Sequence, residues 1–448
     1  MTHVSFGGDG PDRRGFLKLG GAVLGAAALA PVLAACGTSK SGPSSASGSS
    51  SGTTTITFAT AKFVGTGSLS IRQVVDEYNA SQSKIKVNYR ELPPPASSTE
   101  VHQQLVQSLA RKDDSLDVFT QDIIWIAEFA GAGWTLPLDD YIDASERANY
   151  FPGLIKGCTW DGKLTALPWW VDSGMLYYRK DLLDSAGLQV PTTWDELTTS
   201  AKTLQSSGKA QFGFLWQGKQ AEVLVCDLVE FVGSAGGAIL SADGKTVQIA
   251  DAPAQKAVQF MVDTMNVSKI SPRDLLSWDE EPSRRPFTSG QAAFLRNWSY
   301  IYGVCQNPQE SKVVDKVGVA PLPAFSGGTS AACLGGYQLG VNAASTKKEA
   351  AIEFAKWMSS PATQLKLATG MGLAPTRSAV FDEAELNKVN PFMVKLKDVF
   401  TGGTPRPVTP KYPQVSLVLQ SQVSQALATG DVKGALEASK SQIQAIVA

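Results

Sequence analysis

The chain of 448 residues is 43% hydrophobic and 18% charged, which supports two sizeable cores and excludes a disordered chain. Its formal charge is −1 and no run of Lys and Arg appears, so the electrostatic footprint of a nucleic-acid binder is missing. His3 and His102 are the only histidines, which argues against a zinc centre or His-dependent catalysis; no cofactor or metal is expected, although carboxylate chemistry remains open.

Arg13 and Arg14, followed by Phe16-Leu17-Lys18, precede an Ala/Gly-rich apolar run at 19–35. This order reads as an export signal over residues 1–35. The run is about 17 residues, shorter than the roughly 20 that span a bilayer, and Pro31 interrupts it. The arginine pair resembles a twin-arginine signal, which exports folded proteins. Leu33-Ala34-Ala35-Cys36-Gly37 resembles a bacterial lipobox, whose cysteine is diacylated and becomes the mature N-terminus. Cys36 is therefore expected to anchor the chain at the extracytoplasmic face of the cell membrane. The alternative is a signal anchor with an incidental cysteine. Residues 36–53, mostly Ser, Gly and Thr, read as a flexible tether. Cys158, Cys226, Cys305 and Cys333 have no metal or redox spacing. Export permits a disulfide among them, with three pairings possible.

From residue 54 onward strands and helices alternate. Residues 54–59, 84–89 and 115–120 read as strands, and 71–78, 101–110 and 124–132 as helices. Such alternation implies an α/β fold with a parallel, doubly wound sheet, whose ligands sit outside the carboxyl ends of the strands. Asp122 falls at such an end; it is also placed to cap the following helix. Trp160-Asp161-Gly162-Lys163 reads as a hairpin. Gly187 closes a helix, and Thr193 with Glu196 forms a capping box. Helices are further expected at 221–233, 252–265, 347–359, 415–428 and 432–447, with a strand at 317–323.

The densest motif is Pro168-Trp169-Trp170-Val171-Asp172-Ser173-Gly174-Met175-Leu176-Tyr177-Tyr178. Aromatic faces cover the C–H faces of a sugar, and a carboxylate accepts hydrogen bonds from its hydroxyls. The bland alternative is a buried strand running into a helix. Trp170 and Asp172 are the candidates kept for ligand contact; Tyr177 and Tyr178 read as core.

Six patterns in order resemble the bacterial extracellular solute-binding proteins that serve ABC sugar importers, closest to trehalose- and maltose-binding lipoproteins. They are 116–125, 167–182, 191–197, 287–298, 335–342 and 370–377, including Leu116-Asp117-Val118-Phe119, Gly335-Gly336-Tyr337-Gln338-Leu339-Gly340 and Ala374-Pro375-Thr376-Arg377. The resemblance implies a two-lobed periplasmic-binding-protein-like fold with hinge crossovers near Asp172 and 335–339. The N-lobe would be 54–172 plus 340–376, and the C-lobe 173–339 plus 377–448. It implies that Asp122 and Asp172 accept sugar hydroxyls, that Trp298 and Tyr337 stack on sugar rings with Trp170 a further wall, and that Arg377 donates a fork of hydrogen bonds. Gly336 would let the backbone approach the ligand, and Gln217 and Glu222 would add polar contacts. Structural roles compete at each position: Trp298 and Tyr337 as packing, Arg377 as an ion-pair partner, Asp172 as a hinge residue. The carboxylate that relatives carry after the first strand is not present in 62–70.

The expected function is a non-catalytic, monomeric subunit that holds an α-linked disaccharide such as trehalose or maltose between its lobes and delivers it to ABC permease subunits. Another carbohydrate or a glycerophosphodiester is the alternative guest. The rivals are a glycosidase using Asp122 and Asp172, and a lipoprotein scaffold that binds no small molecule.

Overall fold

The first three strands, Thr54–Ala61, Ile85–Leu92 and Val118–Asp122, pair in parallel as the alternation implies. The computed structural model describes residues 52–63, 69–112, 114–241, 244–401 and 403–448; Arg13, Arg14, Cys36 and nearly all of the expected tether lie outside them. Beyond the third strand the parallel expectation fails. Val118–Asp122 pairs antiparallel with Leu334–Val341, and that strand pairs antiparallel with Leu167–Ser173. Ala374–Pro375 completes a mixed six-stranded sheet. The reason is connectivity: only the first three strands are joined by helical crossovers, which force parallel pairing. Leu334–Val341 joins after a long excursion of the chain through a second sheet, so no such crossover dictates its direction.

The second sheet has four strands in the order Val317–Ala320, Met175–Arg179, Ala292–Asn297 and Phe212–Leu215. Two buried clusters follow the two sheets. Phe58, Phe119, Trp169 and Phe354 belong to the first, and Tyr177, Trp194, Phe231 and Phe287 to the second. The α/β fold is therefore two-lobed. The 168–181 motif divides at Gly174: Leu167–Ser173 lies in the first sheet and Met175–Arg179 in the second. A Cβ on Gly174 would lie 1.9 Å from Glu230 Oε1, so the crossing point admits no side chain. Tyr177 is fully buried in the second lobe and donates its hydroxyl to the Trp298 carbonyl at 2.7 Å.

All four cysteines from Cys158 onward are buried free thiols, so the possible disulfide does not form. No described helix is long and apolar enough to cross a membrane. Among the helices that escape a periodicity reading, two are long. Glu280–Thr288 contains Pro286, and Pro361–Met371 has a weak apolar face. The second does carry end signals: Ser360 accepts from the Thr363 N–H at 3.3 Å, Pro361 occupies the first turn, and Gly372 closes it at φ 75°. Ser360→Ala is expected to lower stability by about 1 kcal/mol, measured as a shift of the urea midpoint.

Candidate functional site

Register brings the site together. Tyr337 sits opposite Asp122 on one neighbouring strand and opposite Trp170 on the other. Directly opposed residues share a face of the sheet, so Asp122, Tyr337 and Trp170 form one row across three strands. The Trp170 and Tyr337 rings stack with centroids 5.7 Å apart, and Phe63 meets both edge-on. Asp172, two residues beyond Trp170, points to the same face and lies opposite Gly335.

Gly336 holds this arrangement. Its φ of 101° is a conformation that side chains rarely adopt, and a Cβ there would lie 2.3 Å from the Trp170 carbonyl oxygen. Gly336→Ala is expected to cost about 2–3 kcal/mol and to disturb the Trp170–Tyr337 stack, read from denaturant unfolding and from tryptophan fluorescence.

The second lobe covers the row from the other side. Gly335 leaves space that the Trp298 ring occupies, with Trp298 Cζ3 3.3 Å from where a Cβ would stand. The Trp298 indole N–H donates to Glu280 Oε1 at 3.3 Å, and the Arg296 guanidinium lies 4.3 Å from the ring centroid. Asp172 Oδ1 accepts two backbone N–H groups, from Ser173 at 2.8 Å and from Ser299 of the second lobe at 3.0 Å. Burial nevertheless dominates and pushes the Asp172 carboxyl up to about 6.

Asp122 combines both roles the sequence leaves open. Its Oδ1 caps Ile124 N–H at 3.2 Å, and it stands in the row. The same oxygen receives Arg406 Nη2 at 3.1 Å, while Arg406 Nη1 donates to Glu222 Oε1 at 2.9 Å. Burial raises the Asp122 pKa, and the nearby Glu222 charge adds to this against the pull of Arg406. Glu222 also accepts from Tyr412 and Ser416. Arg406 is absent from the sequence reading. Its one local signal is its place between Pro405 and Pro407, which restrict the backbone around it.

Two expected contacts are engaged elsewhere. Arg377 donates to Ser359 O at 2.7 Å, to Tyr150 Oη at 2.7 Å and to Glu146, with its guanidinium over the Tyr150 ring. The structure gives it the ion-pair role and leaves it outside the row. Gln217 is fully buried; its amide donates to Ser283 and to the Arg296 carbonyl, and its Oε1 accepts from Arg296. It supports the end of the strand that leads to Trp298. No described group of three His, Cys, Asp or Glu is placed to hold a metal ion. A surface cavity of about 320 Å³ near Tyr141, Ile352 and Lys356 involves none of the row. Asp122 and Asp172 stand on strands separated by a third and two positions apart in register, roughly 12 Å apart at the backbone. That suits hydrogen bonding at two points of one guest better than the ~5 Å carboxylate pair of a retaining glycosidase.

Residues 65–365 match the family model described as bacterial extracellular solute-binding protein. A probable ABC transporter-binding protein of Deinococcus radiodurans is 35% identical over 339 residues, 73% of this chain and 79% of the relative. The solved structure of maltose-bound T. maritima MalE3 is 37% identical with a TM-score of 0.79, covering 87% of this chain and 99% of that one. A cyclic α-maltosyl-1,6-maltose binding protein of Arthrobacter globiformis is 26% identical with a TM-score of 0.73, over 88% and 99% of the two chains.

Proposed function

Because the chain belongs to the bacterial extracellular solute-binding proteins, the non-enzymatic binding subunits of ABC transporters, we propose that it captures an α-linked disaccharide such as trehalose or maltose. The observation that carries this reading is the row of Asp122, Tyr337 and Trp170, with Asp172 beside it and Trp298 over it from the other lobe. Two carboxylates and three aromatic faces match the alternating hydroxyls and C–H faces of a neutral sugar. The likeness to a maltose-bound protein at 37% identity supports the same guest class.

In this reading Asp122 and Asp172 accept sugar hydroxyls, Trp298 and Tyr337 stack on the rings, Trp170 is a wall, and Gly336 brings the backbone close. The arginine beside the row in this reading is Arg406, held by Glu222 and Asp122, rather than Arg377. The lobes divide at Gly174, just before the strand Leu334–Val341 and near Arg377, so 334–339 go with the first lobe rather than the expected second, and the lobes close by a hinge at these crossings. The sugar stabilises the closed form of an existing equilibrium, and the closed form docks on membrane permeases. Arg13 and Arg14 direct export, Cys36 carries the lipid, and the protein works as a monomer. Isothermal calorimetry tests the guest against trehalose, maltose, mannitol and a glycerophosphodiester. Binding of an α-glucoside ahead of the others is the expected result. Heat with the glycerophosphodiester alone, or with none at millimolar concentration, would overturn it.

A further inference from the structure

Arg406 connects the lobes at the site. One nitrogen of its fork holds Asp122, the last residue of a first-lobe strand; the other holds Glu222, the first residue of the second-lobe helix Glu222–Ser234. The guanidinium is 3% exposed, so both pairs are shielded from solvent screening. The two ends are not equal. Glu222 is held in the second lobe by Tyr412 and Ser416 of the helix Tyr412–Thr429 as well as by Arg406. Asp122 offers Arg406 a single bond, on the oxygen that also caps Ile124, and the same nitrogen reaches the first-lobe Leu334 carbonyl only at 3.5 Å.

The loop that carries Arg406 is stitched to the segment leading into the strand Leu334–Val341. Thr404 N–H donates to the Ala332 carbonyl at 2.7 Å, and Leu334 N–H donates to the Thr404 carbonyl at 2.9 Å. Pro405 and Pro407 stiffen the backbone on either side. The arginine is thus fixed to one of the connections about which the lobes turn. From there its fork reaches a carboxylate of each.

We propose that Arg406 is a positioning residue that clasps the lobes: it stays with Glu222 and makes or releases the Asp122 pair as the cleft closes or opens. This rests on the reading of the site as a cleft between moving lobes. The clasp couples closure to the aim of Asp122. When the lobes meet, Arg406 fixes the Oδ1 side of the carboxylate and leaves Oδ2 for a guest hydroxyl. Removing the cation would leave Asp122 and Glu222 facing each other across a dry gap, where like charges repel strongly.

The inter-lobe bond from Ser299 N–H to Asp172 offers a reporter that does not include Arg406. Hydrogen exchange of the full chain without sugar tests the clasp. In R406Q the Ser299 amide should exchange about five- to a hundred-fold faster, while helix Pro361–Met371, inside one lobe, keeps its rate. R406K, which keeps the charge without the fork, should fall between. E222Q should accelerate Ser299 in the same way, and covers the case in which R406Q fails to fold. E91Q, which breaks an exposed pair with Lys62 within the first lobe and away from that helix, is the control. An unchanged Ser299 rate in folded R406Q or E222Q overturns the clasp, and so does equal acceleration of the helix, which would mean global loosening. The readout needs no sugar, so its failure is distinct from a calorimetric failure to find the guest.

Discussion

Replacing Arg296 with methionine should remove about 3–5 kcal/mol of folding stability, a large shift of the urea midpoint. Arg296 is buried beneath the site with two carboxylates. Its Nε and Nη2 donate to Glu230 at 2.7 and 2.6 Å, and Asp227 Oδ1 lies 2.8 Å from Nε. Nη1 donates to Gln217 Oε1 at 3.1 Å. Burial raises the Asp227 pKa well above the carboxylate range, and the Glu230 charge adds to this, while the Arg296 charge opposes both. Methionine would fill part of the volume but strand these acids in an apolar interior. Adding D227N and E230Q should recover much of the loss. The amide oxygen that E230Q introduces would still accept the Cys333 N–H, which Glu230 holds at 3.1 Å. A loss below about 1 kcal/mol would mean that water reaches the acids and that the network is not a true buried ion group. The same change should weaken sugar binding, since Arg296 supports the Trp298 ring from behind.

Asp172→Asn should separate binding from stability through pH. The folded carboxyl is pushed up to about 6 by burial, above the roughly 3.9 of an unfolded chain. A raised folded pKa means that the group's contribution is fully present below about pH 4 and is lost as pH rises through about 6. The native protein therefore gives up as much as about 3 kcal/mol at neutral pH by keeping Asp172 charged. The asparagine variant should be more stable than the native chain at about pH 8 and equal to it near pH 4, seen by denaturant unfolding at several pH values. Binding should show the opposite sign. Native sugar affinity should fall as pH drops below about 6. The variant should lose the fall near pH 6 and be about tenfold weaker at neutral pH, because a charged acceptor is stronger than an amide. If both proteins follow the same pH curve, Asp172 is not the titrating contact.

Much of the fold was legible because it is written locally. Apolar spacing in 71–78 and 252–265 marked helices that form as expected, and Thr193 with Glu196 makes both bonds of its capping box. The alternation of 54–59 and 84–89 marked the first two strands. Half of the site was legible for the same reason. Trp170 and Asp172 share a strand at a spacing of two, which puts them on one face whatever the strand pairs with.

The sequence by itself determined most of the longer helices and strands and that Trp170 and Asp172 would share a sheet face. These depend on neighbours a few residues away, and the chain's periodicity and caps specify them directly. Only the tertiary structure decided that the first sheet turns antiparallel after its third strand, since pairing direction depends on how a distant strand arrives. It alone drew Arg377 to Glu146 and Tyr150, Gln217 to Arg296, and Arg406 to Asp122. Asp122 and Arg406 are 284 positions apart. An arginine pairs with whichever carboxylate the packed cores bring within reach, and nothing in its local pattern names that partner.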